Sequence, residues 1–211
     1  MRTDDLIRAM SADTTPVRPV AVMLPLALLA GMTVGALVFG ATLGVQPDLW
    51  GAIVTTPVFL KHAFPILMAA AAFGAVARLA RPEARLDGWT WALMLAPALA
   101  VISFWVSAAV TPVAAWPEAI MGQTTADCVL RISLLGLATL AGALWALRRG
   151  ASAHPRLSGA LAGLLSGSAA AALFALFCTE NNPMFWGFWY VLAIGIVTAI
   201  GALLGRRLLR W

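Results

Sequence analysis

Residues Arg78–Asp87, RLARPEARLD, gather three arginines and two carboxylates into ten positions of a chain that is otherwise strongly apolar. On each side of this stretch lies an apolar run of about 20 residues, long enough to cross roughly 30 Å of hydrocarbon at 1.5 Å per residue. The polar break therefore reads as a loop between two membrane spans. Working outward, four more runs of the same kind appear. The six are predicted at Val20–Val45, Val58–Ala77, Gly88–Val110, Ala126–Leu147, Leu157–Phe177 and Met184–Leu204. With 62% hydrophobic and only 11% charged residues, against about 25% charged in a soluble domain, the composition excludes a soluble fold.

The charge pattern orients the spans. Of 14 basic residues, twelve fall in four polar stretches: Arg2, Arg8 and Arg18; Arg78, Arg81 and Arg85; Arg148, Arg149 and Arg156; Arg206, Arg207 and Arg210. The intervening connections, near Gln46–Pro57, Thr111–Thr125 and Cys178–Pro183, carry none. By the positive-inside rule both termini are cytoplasmic. The expected fold class is an all-α integral membrane protein, a bundle of six transmembrane helices with a short N-terminal amphipathic helix. The net charge of +5 belongs to these membrane-flanking loops, and direct nucleic-acid binding is not expected. No signal peptide is expected, because the first apolar stretch follows an acidic segment and is too long for an h-region.

Two regions result, a cytoplasmic tail over residues 1–19 and a transmembrane domain over 20–211. The tail reads as a helix: Thr3 as N-cap, Asp4 and Asp5 in the first turn, Leu6, Ile7 and Met10 on one face, then Pro16 and Pro19 to stop it. So short a helix is marginal alone and needs a lipid surface or a protein partner to fold against. Within the spans, Gly159, Gly163 and Gly167, Gly31 with Gly35, and Gly201 with Gly205 form small ridges suited to close helix contact. Trp50, Trp89, Trp116, Trp186 and Trp189 fall near predicted span ends, as in an aromatic belt.

No phosphate loop, HExxH or Ser/His/Asp set is present, and no enzyme activity is expected. Chemistry concentrates instead at the outer ends of the spans, where the two cysteines of the chain stand. Cys128 lies in DCVLR with Asp127 and Arg131, Cys178 in CTENNP with Glu180, and Lys61 and His62 begin the second span. Charged residues at such depth are usually paired, so Lys61 and Arg131 are expected to meet Glu180, Asp127 or a thiolate. A nearby cation raises the thiolate fraction of a cysteine. Structural disulfide, redox switch and soft-metal site all fit this composition. No cofactor is obligatory, and a metal would draw on Cys128 and Cys178 with His62, Glu180 or Asp127.

The segments TDDLIRAMSAD, FLK, DCVLRISLLGL, CTENNPMFWGFWY and GALLGRRLLRW together resemble the NrsF family, across essentially the whole chain. The resemblance implies a six-span protein of the bacterial inner membrane, an anti-sigma factor of an extracytoplasmic-function (ECF) sigma factor. It implies that Cys128 and Cys178 answer heavy-metal or oxidative stress and that Thr3–Asp13 holds the sigma factor. The competing readings are a membrane thiol-disulfide oxidoreductase, which normally needs two exchanging cysteine pairs, and a small metal exporter, which needs a polar path through the membrane.

Overall fold

The computed structural model describes residues 3–12, 19–46, 49–80, 88–150 and 152–209. Arg2, Arg18, Arg81, Arg85, Arg210, Asp13 and Pro16 lie outside the described residues. In chain order the helices are α1 (Thr3–Ser11), α2 (Val20–Thr42), α3 (Leu49–Ala52), α4 (Thr56–Leu79), α5 (Trp89–Val110), α6 (Trp116–Met121), α7 (Thr125–Leu147), α8 (Pro155–Phe174) and α9 (Pro183–Leu208). Six of these, α2, α4, α5, α7, α8 and α9, are long and apolar enough to cross a membrane, and they match the expected spans to within a few residues. The short helices α3 and α6 lie in connections that the sequence reading left without structure.

Consecutive spans are joined by short connections and run in opposite directions. One face of the bundle therefore holds the start of α2, the connection from α7 to α8 and the end of α9. The other holds α3, α6 and the turn between α8 and α9. Prolines mark several starts: α4, α6, α8 and α9 each have one in the first two positions, where the missing N–H is no loss. Pro25, Pro65 and Pro97 instead fall inside spans, a placement membranes tolerate because neighbouring groups satisfy the freed carbonyls.

Helix α8 sits at the centre and packs against α2, α4, α7 and α9. Its sequence, SGALAGLLSGSAAAAL, explains this: small side chains let four neighbours approach. The contact with α9 is backbone on backbone. A Cβ at Gly205 would lie 2.6 Å from the Gly159 Cα, and one at Gly163 would lie 2.8 Å from the Thr198 Cα. The ridges are thus contacts within the bundle. Gly31 and Gly35 play the same part against Thr139 and Leu135 of α7.

The tryptophans divide. Trp50 and Trp91 are exposed, as lipid anchors should be. Trp189 donates its indole N–H to the Ile120 carbonyl at 2.7 Å and so ties α6 to α9. Trp89 donates to the Ala71 carbonyl at 2.7 Å beneath the Arg78 guanidinium. Trp186 departs from the expected belt: it is fully buried and stacks on Phe64, because it occupies the inward side of α9.

Two measurements follow. In mixed micelles, Gly159→Ala should destabilise the protein by about 1–3 kcal/mol, the usual range for overpacking, because the new methyl meets α9 backbone. Gly195→Ala, where a Cβ finds open space, should stay within about 0.5 kcal/mol of the parent. For orientation, single cysteines replacing the exposed Val113 and Ala153, in a chain otherwise free of cysteine, should differ. An impermeant maleimide added to intact cells should label position 113 and spare position 153 until the membrane is opened.

Candidate functional site

The turn between α8 and α9, residues 175–182, is held at both ends by its own polar groups. Asn182 is the N-cap of α9: its Oδ1 accepts the Met184 N–H at 2.9 Å and the Ser107 hydroxyl of α5 at 3.4 Å. Glu180 reaches across to the α6–α7 connection, where its Oε1 accepts the Gln123 N–H at 2.8 Å. That contact passes beside Gly122, whose φ of 52° suits glycine and whose missing side chain leaves room for Phe185 and Glu180.

Lys61 enters this turn from α4. It is 0% exposed, and its ammonium donates to the Cys178 carbonyl and, at 3.0 Å, to Asn181 Oδ1. Asn181, read from sequence as a turn residue only, is therefore the side-chain acceptor for the one lysine of the chain. Beside it on α4, the His62 Nδ1–H donates to the Val58 carbonyl at 2.8 Å, and its buried Nε2 has no partner among the described residues.

Cys128 of α7 and Cys178 of the turn are both buried, unbridged and members of one packed cluster. Each thiol acts on the other as a neighbour within that cluster. The Cys128 thiol as donor, then the Lys61 ammonium and the Glu180 backbone N–H, hold the Cys178 thiol below its ordinary range; burial pulls the other way. From α9, Tyr190 is fully buried. Its hydroxyl has no partner at normal hydrogen-bond geometry and faces the Cys178 sulfur. Sequence reasoning missed Tyr190. The signal available was its position four residues after Trp186, on the same inward side of α9.

Other expected members go elsewhere. Arg131 pairs with Asp127 one turn away, Nε to Oδ1 at 3.4 Å, with both side chains partly exposed. It lines an apolar groove between α2 and α7. Residues three apart on a helix are about 60° apart around its axis. Cys128 can therefore point inward while Arg131 flanks toward lipid. Among the described residues no three of His, Cys, Asp and Glu are gathered as a metal site. His62 bonds its own helix through Nδ1, Glu180 bonds Gln123 and Asp127 pairs with Arg131. Leu6 and Met10 belong to α1, but their side chains are outside the described positions; Asp4, Asp5 and Ile7 of the same helix are exposed.

The site is thus a buried pair of thiols, one fixed on a helix and one on a turn, with a cation and a phenol beside them. Two thiols of this kind have the composition for a two-electron exchange through a disulfide.

Residues 10–211 match the NrsF family, described as negative regulator of sigma F. The probable anti-sigma-F factor NrsF of Azospira oryzae is 36% identical and the anti-sigma-F factor NrsF of Caulobacter vibrioides 38% identical, each over the full length of both chains. No solved structure matches this chain. A family match over residues 10–211, joined to full-length likeness above a third identity, shows that the chain belongs to the NrsF family.

Proposed function

We propose that this chain is a negative regulator of transcription, an anti-sigma factor that holds an ECF sigma factor at the bacterial inner membrane. It releases that partner when the Cys128–Cys178 pair reacts with an extracytoplasmic oxidant or thiol-reactive metal. The observation that carries the signalling half is the convergence of the only two cysteines on one face of the bundle. That face is opposite the one from which α2, next after α1 in the chain, starts. By the positive-inside rule the thiols look to the oxidising compartment and α1 to the cytoplasm. The full-length likeness to two anti-sigma-F factors supports the other half.

Helix α1 is the candidate sigma-binding element. Asp4 and Asp5 are exposed in its first turn and suit a basic partner surface, with Leu6, Ile7 and Met10 as apolar anchors in a helix-in-groove mode. Between binding events the same helix can rest on the lipid surface. An oxidoreductase would need a second exchanging pair, and the chain has two cysteines in all.

Replacing both Leu6 and Met10 with Asp should weaken sigma-factor binding by about 2–4 kcal/mol if they act as hot spots. In cells this would read as derepressed sigma-dependent transcription at unchanged membrane levels of the protein. Repression that survives the double change would move the binding surface to the loops of the same face. For the thiols, Cys128→Ser and Cys178→Ser should each abolish induction by oxidant or metal, and the double variant should match either single one, because a pair acting as a unit is non-additive. Dose-matched induction in both single variants would return the cysteines to packing.

A further inference from the structure

Lys61 is the most confined charge described in the molecule. It has no exposed surface, whereas Arg131, the other cation outside the basic loops, is partly open. Removing an ammonium from water costs several kcal/mol unless other groups compensate it. The two groups that bind it are neutral: the Cys178 carbonyl and the Asn181 amide oxygen. Among the described residues no carboxylate comes within 4.0 Å of it, the sole such ion pair being Arg131–Asp127. The groups around it that can carry negative charge are Cys178, whose own carbonyl it binds, and Glu180, whose carboxylate is engaged by the Gln123 N–H; Cys128, His62 and Tyr190 are the other titratable neighbours. Of these, Cys178 is the one whose charge a change of redox state would remove.

We infer that Lys61 is a positioning residue that couples the redox state of the Cys128–Cys178 pair to the shape of the 178–181 turn. In the reduced pair the Cys178 thiolate offsets the ammonium, and the ammonium holds the turn by its two acceptors. Oxidation by an exogenous disulfide proceeds in two displacements. The Cys178 thiolate attacks one sulfur and expels the first leaving thiolate. The Cys128 sulfur then attacks the mixed disulfide and expels the second, which takes the Cys128 proton. Two electrons leave the pair, the Cys128–Cys178 bond forms, and the anion is gone. The Lys61 ammonium is left with neutral acceptors in a dry site, and the strain falls on the turn from which α9 starts. The inference rests on the reading of the pair as the sensor, and it adds that Lys61 stabilises the reduced form.

That addition has a sign. An interaction that stabilises the dithiol makes the disulfide more oxidising, so removing the charge should favour the disulfide. A lysine that merely props the turn would act in the opposite sense, since losing it would misalign the thiols. The test is a redox titration of the full-length protein in lipid nanodiscs against reduced and oxidised glutathione, with free thiols trapped by a maleimide mass tag. Lys61→Met should shift the equilibrium toward the disulfide by at least tenfold, about 30 mV more negative for a two-electron couple. Asn181→Asp keeps shape and gives the ammonium a permanent anion, so it should shift the same way by at least threefold. It also decides the matter if Lys61→Met does not fold. An unchanged or reversed shift in the folded variants would overturn the role of Lys61 and leave the sensor reading intact. A parent protein that forms no Cys128–Cys178 disulfide at any glutathione ratio would overturn both.

Discussion

Everything in this bundle depends on how closely α8 and α9 approach. Where Gly159 and Gly163 meet Gly201, Gly205 and the Val197–Thr198 backbone, no side chain separates the two helices. In a bilayer there is little hydrophobic force between spans, so contact of this kind supplies much of the association through dispersion. It also fixes the turn between the two helices. That turn carries Cys178, Glu180 and Asn181, so the geometry of the polar site is inherited from an apolar contact nearer the other face.

The polar site then locks the remaining elements to that turn. Lys61 brings in α4, Asn182 brings in α5 through Ser107, and Glu180 brings in the α6–α7 connection through Gln123. Cys128 brings in α7 by packing rather than by a bond. A chemical change at the thiols would thus be felt by every span that meets this turn. The α2 span meets it too: Phe39 lies edge-on to Phe177, and the Gln46 N–H just beyond α2 donates to the Leu176 carbonyl at 3.0 Å. Contacts of α2 with α7 and α8 continue through Gly31, Gly35, Leu135 and Thr139.

Several buried polar atoms of α4 and α9 have no hydrogen-bond partner among the described residues: the Tyr190 hydroxyl, the Trp186 indole N–H and the His62 Nε2. A buried group without a partner costs about 1–3 kcal/mol. Of these, the Tyr190 hydroxyl faces the Cys178 sulfur.

Span number, span limits and the segregation of arginine to one face were legible in the amino-acid order. An apolar run of sufficient length and a charge that must stay out of hydrocarbon are local properties that need no knowledge of neighbours. That both cysteines stand at one end of the bundle followed from the same reasoning, as did the glycine ridges. What could not be read was which residues meet across long stretches of chain. Asn181 lies 120 residues from the lysine it binds, and its amide looked like any turn amide. Arg131 and Cys128 differ by three positions, but only the arrangement of α2, α8 and α9 around α7 decides which of them faces inward. Trp186 sits at a span end, as a lipid anchor does, and is buried because α9 turns that side toward Phe64. The bilayer determines where each segment begins and ends, whereas side-chain partners are chosen by the rotation of each helix about its own axis, and that rotation exists only once the helices are packed.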